Sequence, residues 1–169
     1  MDNTYQVRWE IAGDVQLART FVRLGVVLQD FREPLRRIAD ELIYPEIKHQ
    51  FAAEGDTIWP AYRSAAYAAF KRRIGKPKLV VTGALQRSLT TKRARGSVYR
   101  LTKELLEIGT QLQTPDGQWN LGLIHQKGAP RANIQARPMM RLRRSAQTKA
   151  VEIFTSWFRS EGRRITGSW

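Results

Sequence analysis

Residues 120–140 read NLGLIHQKGAPRANIQARPMM, and the interpretation of this stretch decides the fold. Leu121 and Leu123 alternate with Asn120 and Gly122, which is the period of a short strand. His125, Gln126 and Gly128 follow, and a polar run then leads to Ala136-Arg137-Pro138-Met139-Met140. Proline pushes the residue before it towards extended backbone, so Arg137 should not be helical. A strand, a glycine turn, a long loop and a proline-marked return predict a projection from a small domain. The loop contains Lys127 and Arg131 and no acidic residue, which suits contact with a partner.

The flanking sequence predicts the mount for that projection. Tyr5, Val7, Trp9 and Ile11 alternate with polar residues, so 4–11 reads as a half-buried strand. Asp14 can cap a helix whose apolar stripe is Leu17, Phe21, Leu24 and Leu28. Leu35, Ile38, Leu42, Ile47 and Phe51 continue an apolar face, giving helices over 14–52 with a kink or break at Pro45. Trp59 ends a loop and should fold back onto these helices. A helix over 61–73 is stopped by Gly75 and Pro77. Thr82 can cap a short helix over 82–90, and Lys92, Arg93 and Arg95 then mark an exposed basic loop. Antiparallel strands are expected over 97–124, with a turn at Thr114-Pro115-Asp116-Gly117 and a last strand at Trp119–Ile124. The projecting loop spans 125–140, and a C-terminal helix over 145–161 begins at Ser145. The pattern is α+β: one domain with a small antiparallel sheet of about four strands, packed on N-terminal helices and a C-terminal helix.

Composition narrows the chemistry. The 169 residues suit one modest core, and 42% are hydrophobic. Lys and Arg number 29 against 15 Asp and Glu, a net charge of +14. That excess favours polyanions or acidic proteins, although a charged surface also simply keeps a protein in solution. The chain has no cysteine and only two histidines, so neither a disulfide framework nor a His/Cys zinc site is expected. No apolar run approaches the ~20 residues of a membrane helix, and the N-terminus lacks a signal-peptide layout. A soluble protein made inside the cell is expected.

Catalytic motifs are missing. There is no nucleophile elbow, Walker A loop, H-E-x-x-H or Gly-rich dinucleotide turn, and the carboxylates are scattered. His125 has the chemistry of a general base, but a strand-end histidine bonded to backbone is the plainer reading. The basic loops could follow phosphates without reading bases. Trp119, beside a turn, could anchor an interface, whereas Trp59 is most simply core.

Several short motifs, taken in order, resemble the bacteriophage virion-morphogenesis family of tail-completion and head–tail connection proteins. They are Phe51-x-x-Glu54-Gly55-x-x-x-Trp59-Pro60, Lys71, Val81-Thr82-Gly83-x-Leu85-x-x-Ser88-Leu89, Ile108-Gly109-Thr110, Ile124-His125-Gln126-x-Gly128 and Ile134-x-Ala136-Arg137-Pro138. The match covers about residues 51 to 142. Two positions depart from the family pattern: Lys127 stands where an aromatic is usual, and Met139 where phenylalanine is usual. The resemblance implies a structural subunit without catalytic activity or cofactor. It implies a ring, hexamer or dodecamer, at the neck or head-proximal end of a phage tail, built in the host cytoplasm. The implied partners are further copies, adjoining connector, tail-tube or sheath proteins, and DNA in the channel. The residues offered for interfaces are Trp59, Arg93, Arg95, Trp119, His125, Gln126, Lys127, Arg131 and Arg137. The competing readings are a basic nucleic-acid-binding module and a hydrolase built on His125.

Overall fold

The computed structural model describes residues 22–23, 25–26, 28–56 and 59–166. The expected strand over 4–11 and the first part of the helical region 14–52 lie outside these residues.

Helix α1 (Arg32–Ile38) runs through a π turn (Ala39–Ile43) into α2 (Tyr44–Ala52). The π turn sits where Pro45 was expected to break the helix. In α geometry the Glu41 carbonyl would meet the proline ring and find no N–H there. Widening the turn, with Tyr44 N–H bonding to the Ala39 carbonyl, lets the helix continue. The Glu41 carbonyl instead accepts from Lys149 Nζ at 3.2 Å. A proline defect is thus converted into a tie to the C-terminal helix.

Helix α3 (Ala65–Ile74) starts later than the expected residue 61. Ser64 caps it by accepting from the Tyr67 N–H, and Gly75 closes it with φ of 60°. Residues 60–63 stay non-helical, and the Pro60 and Ala61 carbonyls are held by Arg137. Lys71 is buried and donates to the Pro77 and Val80 carbonyls, both at 2.6 Å. Burial pushes its amine below the usual lysine value. Helix α4 (Ala84–Thr90) follows Gly83, whose φ of 76° suits glycine, and buries Leu85, Ser88 and Leu89.

The α+β mixture holds, but the sheet is smaller than expected. Among the described residues it has two strands, β1 (Ser97–Leu101) and β2 (Leu106–Thr110), paired antiparallel with Tyr99 opposite Ile108. The expected strand at Trp119–Ile124 is instead helix α5 (Leu121–Lys127). Asn120 decides this: its Oδ1 accepts from the Leu123 N–H at 2.9 Å while its Nδ2 donates to the Thr110 carbonyl at 2.8 Å. One side chain caps the helix and binds it to β2. Gly122 permits the contact, because a Cβ there would lie 2.4 Å from Thr110 Cγ2. Leu121 and Ile124, three apart, then turn towards the core, and the two-residue alternation loses its meaning.

Residues 125–140 do not project. Ala129 and Ile134 bridge around a 3-10 turn (Pro130–Ala132), and Arg137 N–H returns to the His125 carbonyl at 2.6 Å. Gly128 lies so close to this return that a Cβ would sit 2.8 Å from the Ala136 nitrogen. Met139 is fully buried. The core is Ile47, Phe51, Trp59, Leu85, Leu89 and Met139. Burial of each large apolar side chain contributes about 1.5–3 kcal/mol.

The C-terminal helix α6 (Arg144–Thr166) is longer than expected, with Ser145 inside its first turn. Ile153 and Trp157 are buried. Phe31 packs edge-on against Phe154 and Trp157, with centroids 6.0 and 5.7 Å away.

Candidate interaction site

The irregular residues before α3, the chain after it, α4, α5 and the 130–137 return enclose a cavity of about 490 Å³. The volume is that of a ligand or side-chain pocket. Leu79, Val81, Leu85, Leu121 and Ile134 form its apolar wall, and Arg63, Tyr62, His125, Gln135 and Arg137 bring polar groups. Among the described residues, Arg63 and Arg137 are the charged ones lining it, and no carboxylate does.

Arg137 builds one side. Its guanidinium donates to the Pro60 carbonyl at 3.1 Å and the Ala61 carbonyl at 3.2 Å. It also stacks 4.9 Å from the centre of the Tyr62 ring. Beneath it, Trp59 Nε1 donates to the Pro138 carbonyl at 2.9 Å across 79 residues of chain. Across the rim, Arg63 donates to Asn133 Oδ1 at 2.8 Å. The loop before α3 and the return after α5 are thus sewn together at three depths.

Three buried polar atoms in these walls have no hydrogen-bond partner among the described residues: Tyr62 Oη, His125 Nδ1 and Gln135 Oε1. The Tyr62 hydroxyl is near the Leu79 amide but outside hydrogen-bond geometry. Burial, then the Arg137 charge, lowers the His125 pKa, so the ring is neutral at pH 7. Burial raises that of Tyr62. Orphaned buried polar groups cost about 1–3 kcal/mol each and mark places where a partner belongs.

No family model, curated protein or solved structure matches this chain. Its functional reading rests on its own motifs and geometry.

The residues singled out in the sequence fall into three groups. His125 and Arg137 meet at the cavity. Trp59 and Gln126 lie behind it: Trp59 is 2% exposed, and Gln126 Oε1 accepts from the Met139 and Met140 amides. Their burial removes Trp59 and Arg137 from any outer surface, a correction that follows from the inward course of 136–139. Lys127, Arg131, Arg93, Arg95 and Trp119 are exposed. Arg95 and the Thr114–Gly117 turn share a shallow depression away from the cavity. Sequence reading missed Tyr62, Arg63 and Gln135. Tyr62 and Arg63 gain their place in the site from contacts with Arg137 and Asn133, far away in sequence, which no local pattern shows. The expected backbone partner of His125 is present at its carbonyl and absent at Nδ1.

Proposed function

We propose that this chain is a structural, non-catalytic virion protein, a ring-forming subunit that completes the tail or joins head to tail at the neck. The observation carrying the reading is the mutual contact of the resemblance motifs. The Trp59-Pro60 and Arg137-Pro138 motifs bond to each other, His125-Gln126 holds the backbone of 137–140, and Gly128 accommodates Ala136. Positions that look like scattered signatures form one rigid frame. That frame leaves Trp119, Leu123, Lys127, Arg131 and the Arg93–Arg95 loop facing outward for neighbouring subunits and rings. Subunits meeting head to tail form a closed ring when the rotation closes. Deleting the gene should leave unjoined heads and tails in electron micrographs. Normal infectious particles made without it would end the proposal.

The exposed basic loop favours a second reading, a nucleic-acid-binding module. A salt titration separates the two: specific function needs binding that survives moderate salt and prefers one sequence or structure. Weak, sequence-blind binding that salt abolishes is the outcome expected of a structural subunit.

A further inference from the structure

We infer that the cavity between α3, α4, α5 and the 130–137 return is a socket for the Thr114–Trp119 turn of a second copy of the chain. The inference rests on the self-assembly reading above and adds the two surfaces that meet.

The socket defines its occupant. Among the described residues it has an apolar wall, two arginines, no carboxylate, and three buried polar atoms lacking partners. The matching occupant has an aromatic or aliphatic body, a negative charge, a hydrogen-bond donor for Gln135 Oε1, and an acceptor for the other orphans. Water alone would meet the polar requirement and leave the apolar wall wet.

The Thr114–Trp119 turn has these features. Asp116 is the only acidic residue between Glu107 and Glu152. Trp119 is 53% exposed and so does not occupy its own chain's socket. Thr114 N–H bonds to the Trp119 carbonyl at 2.8 Å, Gly117 N–H to the Thr114 carbonyl at 2.8 Å, and Gln118 N–H to Asp116 Oδ1 at 3.1 Å. The turn is therefore held in one shape before binding, which lowers the entropic cost of inserting it. In the socket, Trp119 Nε1–H donates to Gln135 Oε1, and Asp116 pairs with Arg63. With its proton on Nδ1, His125 donates to a carbonyl of the turn. Because knob and socket are different surfaces, the contact is head to tail and propagates around an axis.

The chain has no cysteine, so a designed pair is clean. Gln118→Cys combined with Ala132→Cys keeps Trp119 and places one thiol on the exposed turn and one on the exposed socket rim. Oxidation of the full chain at high concentration should give a ladder of disulfide-linked dimers, trimers and larger species. Either single variant should stop at dimers. Trp119→Ala should weaken self-association at least tenfold, measured by sedimentation, with an unchanged melting temperature. Native oligomers that form without the ladder, or with 118–132 bonds only inside one chain, would overturn the socket while leaving the structural-virion reading intact. Unchanged association of Trp119→Ala would overturn it too, and would point to water as the cavity's occupant. A chain monomeric at every concentration would also overturn it, and the gene-deletion micrographs would then judge the virion reading separately.

Discussion

Two regions of this molecule use the same residue types in opposite ways. In the inner clamp, Trp59 and Arg137 are buried, and each spends its hydrogen bonds on a distant backbone carbonyl. On the outer surface, Arg95 lines a shallow depression beside the Thr114–Gly117 turn, and Arg95 and Trp119 both stay exposed. An indole and a guanidinium carry no fixed role. What separates the two regions is the chain around them. Pro60 and Pro138 leave non-helical backbone whose carbonyls need donors, whereas the Thr114–Trp119 turn satisfies its own backbone and releases its side chains outward.

This contrast can be broken by substitution, beginning with the largest effect. Trp59→Ala should cost about 3–5 kcal/mol in chemical denaturation, since it empties the core and orphans the Pro138 carbonyl; a loss like that of Trp119→Ala would erase the distinction. Arg137→Ala should cost about 2–4 kcal/mol, because the Pro60 and Ala61 carbonyls lose their donor. Lysine should restore little of this, having no planar fork to span both. Gly128→Ala should cost about 1–3 kcal/mol, as φ is 78° and the new Cβ meets the Ala136 backbone. On the rim, Arg93→Ala and Arg95→Ala should each change stability by less than about 0.5 kcal/mol. If the protein reads DNA, each should also lower the salt slope of binding by about 1.

A pH series sharpens the comparison further. The folded-state pKa of His125 lies below the ordinary 6.5, so the unfolded chain binds a proton more readily. Stability from this site is complete above the unfolded pKa and falls as pH drops through it towards the lower folded-state pKa. His125→Gln should flatten that part of the profile. Glu46 acts lower: its hydrogen bond from Arg143 holds its pKa below the usual carboxylate value. Its contribution is present above the unfolded carboxylate pKa and is lost as pH falls through the folded one. Thermal melts of wild type, His125→Gln and Glu46→Gln, carried down through the histidine and then the carboxylate range, check both signs.

The residues read correctly in sequence share a local cause. β1 and β2, the Thr114–Gly117 turn, the α4 helix after Thr82-Gly83 and the buried stripe Ile47/Phe51 follow from periodicity and turn chemistry within a few positions. The misread ones have distant causes. Asn120 could have flagged a helix cap, but two leucines at period two masked it, and only the Thr110 carbonyl on a neighbouring strand settles the choice. The loop after α5 looked like a projection because its residues are polar. Arg137 turns inward because the Pro60 and Ala61 carbonyls need its donors, and Gln126 at the end of α5 holds the Met139 and Met140 amides, while Arg131 and Asn133 stay exposed.

The sequence alone therefore determined the mixture of helix and hairpin, the large positive charge and the absence of recognised catalytic motifs, all properties of composition and short-range spacing. Tertiary structure alone decided that Arg137 is a buried clamp, that Pro45 is absorbed by a π turn tied to Lys149, and that Tyr62, His125 and Gln135 share one cavity. Each depends on backbone groups left unpaired by local geometry, and such groups find partners only where the fold brings remote segments within hydrogen-bonding distance.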